Sequence, residues 1–398
     1  MSLTKEQLLD DVRRRLFTPA KSASPRAVGL ELELIPVYRA THKRALVEGS
    51  EGTARVLSKL ARELGWSEQP ADGDAPSWSL ADGSRISFEP GGQIEFSTAP
   101  YPSASEVIDV ATALISQVSD AMAAANIDLL SLGVDAYNSV ESIPLQRQGK
   151  RYRGMTRFFD SLGPAGVQMM RQTAALQINL ERGPSPFERW KLLNALAPVV
   201  VALFANSRDY AGSSTDHQTY RAHLWRTLDP TRTGIVGNGS DPATDYHQFA
   251  LNALAMRSGG STNAYVTFED WMKHDEVDND EWLFHLSTLF PEVRPKEYFE
   301  LRSADTIDLE SLAAPVVLVT GVVYDEQSAE AAARLLPRPN ADLLEHAGRR
   351  GLRDPELHKL ATALVELSLS GAVRLGEDYL APKHLQAARE FFGTTLSR

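Results

Sequence analysis

The 398-residue sequence contains no cysteine. Disulfides, thiolate metal sites, iron–sulfur clusters and cysteine nucleophiles are therefore excluded. Basic charge is also in deficit: 41 Lys and Arg stand against 52 Asp and Glu, a net charge of −11. Sequence-independent nucleic-acid binding needs a basic footprint, which this balance argues against. Long apolar runs are missing. "LAPVVVALFA" and "LAAPVVLVTGVVY" fall short of the roughly 20 residues that span a bilayer. The N-terminal "MSLTKEQLLDDVRRRLF" lacks an apolar signal-peptide core and reads as an amphipathic helix capped by Thr4. A soluble cytoplasmic protein is the expectation, without membrane or nucleic-acid partners. Nor is there a Walker A motif, a G-x-G-x-x-G turn or a G-x-S-x-G elbow. His217, His223, His247 and His285 lack the H-x-x-x-H spacing of a helical zinc pair and read as structural.

What is present is an ordinary globular composition, 43% hydrophobic, with material for a large core. Helix-period segments are predicted at about 3–16, 50–65, 103–126, 155–171, 187–206, 244–257 and 280–289. A nearly continuous helical tail follows. Short alternating strands lie between the earlier helices without a βαβ rhythm, which predicts an α+β fold with an antiparallel sheet. "GSSTDHQ" and "GIVGNGSDPATD" read as long loops.

The strands carry the chemical signal. In "VGLELELIPV" the side chains of Glu31 and Glu33 share one face, with Leu30, Leu32 and Leu34 on the other. "EPGGQIEFST" repeats the design with Gln93 and Glu95 after Glu89, "AALQINL" with Gln177 and Asn179, and "EYFELRSAD" with Tyr298, Glu300 and Arg302. A single E-x-E is better read as a solvated sheet face. Four such strands in one chain point elsewhere. Adjacent carboxylates without a basic neighbour repel, and a hard divalent cation offsets that repulsion through oxygen ligands. Glu31, Glu33, Glu89, Glu95, Gln177, Asn179 and Glu300 supply that oxygen-donor set for Mg²⁺. Glu300 with Arg302 suits a site holding both metal and a phosphoryl group. Without a glycine cradle, phosphate would be met by arginines: Arg151, Arg153, Arg221, Arg232 and Arg302 are the candidates. "YRAHLW" reads either as a recognition patch or as a helix end with Trp225 in the core.

These segments resemble the plant-type glutamate–cysteine ligases, whose fold is glutamine-synthetase-like. "GLELELIPV", "SFEPGGQIEFSTAP", "MMRQTAALQINL", "YRAHLWRTLDPTRTG" and "FPEVRPKEYFELRSAD" carry the likeness in family order across about residues 28 to 325. The resemblance implies a catalytic domain over 1–325, its sheet forming a curved active-site floor flanked by helices, and a helical C-terminal segment over 326–398 packed on it. It implies ATP-dependent amide formation at the γ-carboxylate of glutamate through a γ-glutamyl phosphate, with ATP and Mg²⁺ as cofactors. By motif position Glu31 and Glu33 would hold two different Mg²⁺ ions. Glu95 and Glu300 would complete the shells, with Glu89 and Gln177 as further members. Arg302 would act with Glu300 at the transferring phosphoryl group. Arg221 would pair with the α-carboxylate of glutamate, and Arg232, Gln177 and Asn179 would serve substrate binding. The partners implied are small molecules, glutamate with cysteine or another amine, on a monomer or homodimer. Pro295 and Phe299 replace the leucines usual in the family, and a regulatory cysteine pair cannot exist here. Another amine acceptor is the nearest alternative, and a guanidino phosphotransferase a different enzyme class. A catalytically silent binding protein is a third reading, against which the full carboxylate set and Arg302 argue.

Overall fold

The computed structural model describes residues 3–20, 26–69, 74–237, 239–256 and 266–397. Its strands are β1 Val28–Tyr38, β2 Ser67–Gln69, β3 Ser77–Ser79, β4 Arg85–Phe88, β5 Ile94–Ser97, β6 Ile127–Leu130, β7 Ala175–Leu180, β8 Asp209–Tyr210, β9 Ser213–Ser214, β10 Thr233–Gly234, β11 Phe290–Pro291, β12 Val293–Pro295 and β13 Phe299–Asp305. Nine of them build one sheet in the order β12-β13-β7-β1-β5-β4-β3-β2, with β6 also paired to β1. Every pairing in this sheet is antiparallel. The α+β reading is thus observed, and β1 lies near the middle of the sheet.

Alternation sorts the sheet into two faces. Leu30, Leu32 and Leu34 of β1, Phe96 of β5 and Ile178 of β7 enter the main core. The opposite face carries the acids. Between β7 and β13 the register slips by one residue between Leu301 and Ala304, a bulge that re-aims the side chains it contains. Arg302 sits in it.

The N-terminal helix Lys5–Leu16 has the expected Thr4 cap, completed as a capping box by Gln7. The segment predicted as one helix over 155–171 is two, Lys150–Leu162 and Pro164–Gln172. Gly163, at φ 133°, separates them, and Pro164 at the first turn of the second helix disfavours helical backbone in the residue before it. "YRAHLW" lies within a helix, Tyr220–Leu228, capped by Thr219. "GIVGNGSDPATD" is shorter as a loop than expected, because Asp241 caps a helix starting at Pro242. The last residue of the helix predicted to end at 257, and Asn238 in that loop, lie outside the described residues.

The two apolar tracts form helices Pro186–Leu203 and Ala313–Val323, the latter buried throughout. Ala104–Ala124 has the length and apolarity of a membrane span. Its buried residues Val107, Ile108, Ala111, Leu114, Ile115, Val118 and Met122 form one stripe, as on a core helix, packed against Thr53–Leu64, β6 and Ala313–Val323. The C-terminal helices Glu326–Leu335, Ala341–Arg350, Pro355–Leu375 and Pro382–Leu396 follow. Their Leu343, Leu357, Leu364 and Phe392 belong to the same core as the sheet.

Candidate active site

Register brings the predicted acids together. Glu33 pairs with Glu95 across β1 and β5; Glu31 pairs with Gln177 across β1 and β7, and Glu300 with Asn179 across β13 and β7. Together with Glu89 and Arg302, Glu31, Glu33, Glu95, Gln177 and Glu300 form the floor of a cavity of about 240 Å³. Its roof is Tyr152 and Met155 from Lys150–Leu162, Met169 and Met170 from Pro164–Gln172, then Trp225 and Phe290.

The turn bearing Glu89 is clamped. Arg44 Nη1 donates to the Gly91 carbonyl at 3.0 Å while its guanidinium pairs with buried Asp135 at 2.6 Å. Gln146 Nε2 donates to the same carbonyl at 2.7 Å. A Cβ on Gly91 would lie 2.1 Å from the Arg171 carbonyl oxygen, and Gly92 has φ +83°. Both glycines are therefore needed to bring this turn under the roof helix.

Electrostatics divide the floor. Burial raises the Glu33 carboxyl to about 7, reinforced by Glu95 and opposed by Arg221. Burial also raises Glu89, with Glu95 and Glu33 adding to it, and Glu31, to which Glu300 adds and against which Lys296 acts. Glu300 behaves oppositely. Burial disfavours its charge, yet Arg302, Arg294 and Lys296 outweigh burial and hold its carboxyl down at about 2.

The predicted substrate residues fall in different places. Arg302 Nη1 donates to Gln177 Oε1 at 2.6 Å and to Glu300 Oε2 at 2.7 Å, with its guanidinium 5.2 Å from the Trp225 ring centre. Arg221 lies beside it, lining a small recess with Arg302, Trp225 and Glu292; its Nη2 donates to the Arg302 carbonyl at 2.6 Å. Asn179 does not line the cavity; on the same face of the sheet it donates to Glu31 Oε1 at 3.0 Å. Arg232 is placed elsewhere. It is fully buried, paired with Asp229 at 2.7 Å, bonded to the carbonyls of Thr288 and Leu254, and 4.6 Å over Phe158. Every guanidinium nitrogen is spent on the fold, so the arrangement does not offer it to substrate. Arg151 lines the cavity; Arg153 does not.

Arg294 and Lys296 were missed as site residues. Both line the cavity, and Arg294 stands directly opposite Glu300 in the β12–β13 hairpin. The signal was available: Arg294, Lys296, Tyr298, Glu300 and Arg302 share one parity. The methionine roof had no comparable mark, since apolar residues on a helix read as core.

Among the described residues no three or more His, Asp or Glu side chains are grouped so as to hold a metal ion by themselves, as an all-protein cage would. Mg²⁺ rarely uses one, keeping waters and binding through one or two carboxylates plus substrate phosphates. An open floor of carboxylates, on which Glu95 raises the proton affinity of Glu33 and Glu89 and Glu300 raises that of Glu31, suits that ion, and Glu31, Glu33, Glu89, Glu95 and Glu300 are the residues that could hold it.

Known proteins place the chain. The profile of the glutamate-cysteine ligase family 2 matches residues 27–375. The chain belongs to that family. Similar curated relatives of this ligase family include the glutamate–cysteine ligase EgtA of Mycolicibacterium smegmatis, 34% identical over 79% of this chain and 77% of that one. The chloroplastic glutamate–cysteine ligase of Nicotiana tabacum is 28% identical over 82% and 67%. Among solved structures, the Francisella tularensis glutamate–cysteine ligase in complex with AMP matches with a TM-score of 0.56 at 12% identity, covering 93% of this chain and 82% of that one. At that identity the likeness shows the fold, a glutamine-synthetase-like ligase architecture. The protein is thus an enzyme, a ligase of the glutamate–cysteine type.

Proposed function

We propose that this ligase joins the γ-carboxylate of glutamate to the amine of cysteine, consuming ATP with Mg²⁺ and passing through γ-glutamyl phosphate. One observation carries the reading: in a chain matched by the family over 27–375, Glu31, Glu33, Glu95, Glu300 and Arg302 meet in one cavity.

Phosphoryl transfer depends on positioning and charge neutralisation. Bound Mg²⁺ would supply charge neutralisation on the triphosphate and the transferring group. The chain's residues do the rest. Glu31, Glu33, Glu95, Glu89 and Glu300 would hold the ions. Arg302, held between Gln177 and Glu300, directs its guanidinium to the phosphoryl oxygens and stabilises the charge that develops when the amine attacks. Arg221 takes the α-carboxylate of glutamate, where a planar fork gives bidentate recognition. The thioethers of Met155, Met169 and Met170 favour an acceptor with a small, soft side chain, which supports cysteine over charged amines. The reading places the enzyme in the cytoplasm as a monomer or homodimer, checked by cell fractionation and sedimentation.

The test is phosphate release with ATP, Mg²⁺ and glutamate across a panel of amines. Release is expected to require glutamate together with cysteine. A requirement for a different amine would keep the chemistry and change the acceptor; release indifferent to glutamate would sink the reading.

A further inference from the structure

Lys296 ends β12's side of the hairpin, and its ammonium reaches across to the floor. Nζ bonds Glu300 Oε1 and lies 3.9 Å from Glu31 Oε1 and 3.1 Å from the Tyr298 hydroxyl. The side chain is 31% exposed, whereas the other cations on Glu300 are more buried: Arg302 is paired to it at 2.7 Å and Arg294 at 3.8 Å. Glu300 therefore has cations to spare, and half-buried Glu31 has the ammonium as its one ion-pair partner among the described residues. A divalent cation on this floor needs oxygens that Lys296 already engages. Lysine carries a compact charge on a flexible stem, unlike the fixed fork of arginine. Of the three cations it is the one that can leave without unpacking the site.

We propose that the Lys296 ammonium is an exchangeable counter-ion, neutralising Glu31 and Glu300 until a divalent cation takes their oxygens, and then turning to the phosphates of the nucleotide. The inference rests on the metal- and ATP-dependent reading above. It makes two effects of one charge run in opposite directions. Removing the ammonium removes a competitor for the metal and a ligand for the phosphates.

The experiment measures Mn²⁺ binding by electron paramagnetic resonance without nucleotide, in the wild type and in Lys296→Met and Lys296→Gln, each checked for folding by thermal melting. Mn²⁺ affinity is expected to rise roughly tenfold in both variants, the effect of one competing unit charge beside a partly solvated site. At saturating Mn²⁺, affinity for a non-hydrolysable ATP analogue should fall severalfold, and Lys296→Arg should restore part of it. A merely structural lysine would not tighten one ligand while loosening the other. Mn²⁺ bound equally or more weakly by the variants overturns the exchange and leaves the metal reading standing. Absence of Mn²⁺ binding in the wild type, with and without nucleotide, overturns both.

Discussion

Glu33 of β1 and Glu95 of β5 are directly opposed in the antiparallel ladder, two acids on one face at the centre of the sheet. Ser87 Oγ donates to Glu95 Oε2 at 2.6 Å, and the Ala175 amide donates to Glu33 Oε2 at 2.9 Å. Among the described residues no basic partner neutralises this couple at hydrogen-bond distance. Like charges so placed weaken a sheet, so the pair costs stability, a cost that the divalent cation proposed for this floor would offset.

That relationship predicts the behaviour of Glu33→Gln. The amide keeps an oxygen for the Ala175 amide hydrogen and removes the repulsion. The variant should melt at or above the wild-type temperature, gaining on the order of 0.5–1 kcal/mol, while ligase turnover falls by about 100-fold or more. Calorimetry and the phosphate-release assay read the two effects. Wild-type turnover in the folded variant would refute the role of Glu33.

Asp305 anchors the recess of Arg221. Its buried carboxylate accepts from the Asn206 amide at 2.8 Å, Ser207 Oγ at 2.7 Å and Thr219 Oγ1 at 2.9 Å, with Arg221 Nη1 at 3.7 Å. It thereby joins the strand of Arg302 to the helix of Arg221 and Trp225. Asp305→Asn should raise KM for glutamate about tenfold or more, with a smaller loss in kcat, since about 1.4 kcal/mol of binding corresponds to a factor of ten. Loss of kcat at unchanged KM would refute this division.

For Arg232 the expected phenotype is the reverse. Arg232→Lys loses the Nε hydrogen bond to Asp229, the guanidinium bonds to the Thr288 and Leu254 carbonyls and the contact over Phe158. Breaking a buried, multiply bonded pair costs about 3–5 kcal/mol, and the conservative change should cost somewhat less. Urea unfolding should show this, while KM for glutamate in the folded fraction stays unchanged. A tenfold KM rise at wild-type stability would return Arg232 to the substrate site.

His285 sets a pH dependence. Burial drives its imidazole down to about 3 from the usual 6.5. Nε2 lies 2.8 Å from the Ala250 carbonyl oxygen, which requires Nε2–H as donor, and the ring stacks on Phe268 at 4.3 Å. The folded-state value is depressed, so the unfolded chain binds a proton that the native state refuses. Stability should therefore fall as pH drops from about 6.5 towards 3, by about 1.4 kcal/mol per pH unit from this group. His285→Gln should flatten the slope of stability against pH measured by urea unfolding between pH 7.5 and 5. An identical slope in both proteins would exclude His285 as its source.

The sequence by itself determined the acid strands, because a period of two reports which residues share a face whatever surrounds them. Glu31 with Glu33, Gln177 with Asn179, and Glu300 with Arg302 were legible in that way, as were the Thr4 cap and the antiparallel α+β class. The break at Gly163–Pro164 was written in the chain too, but hydrophobic periodicity ran through it. Only the tertiary structure decided which acids oppose one another, since register depends on partners far away in the sequence. It alone inserted the bulge that holds Arg302 and roofed the floor with Met155, Met169 and Met170. It also sorted the arginines. A guanidinium looks the same in any sequence, and whether it meets Asp229 and Phe158 or an open recess depends on packing, which placed Arg232 in the core and Arg221 and Arg302 at the site.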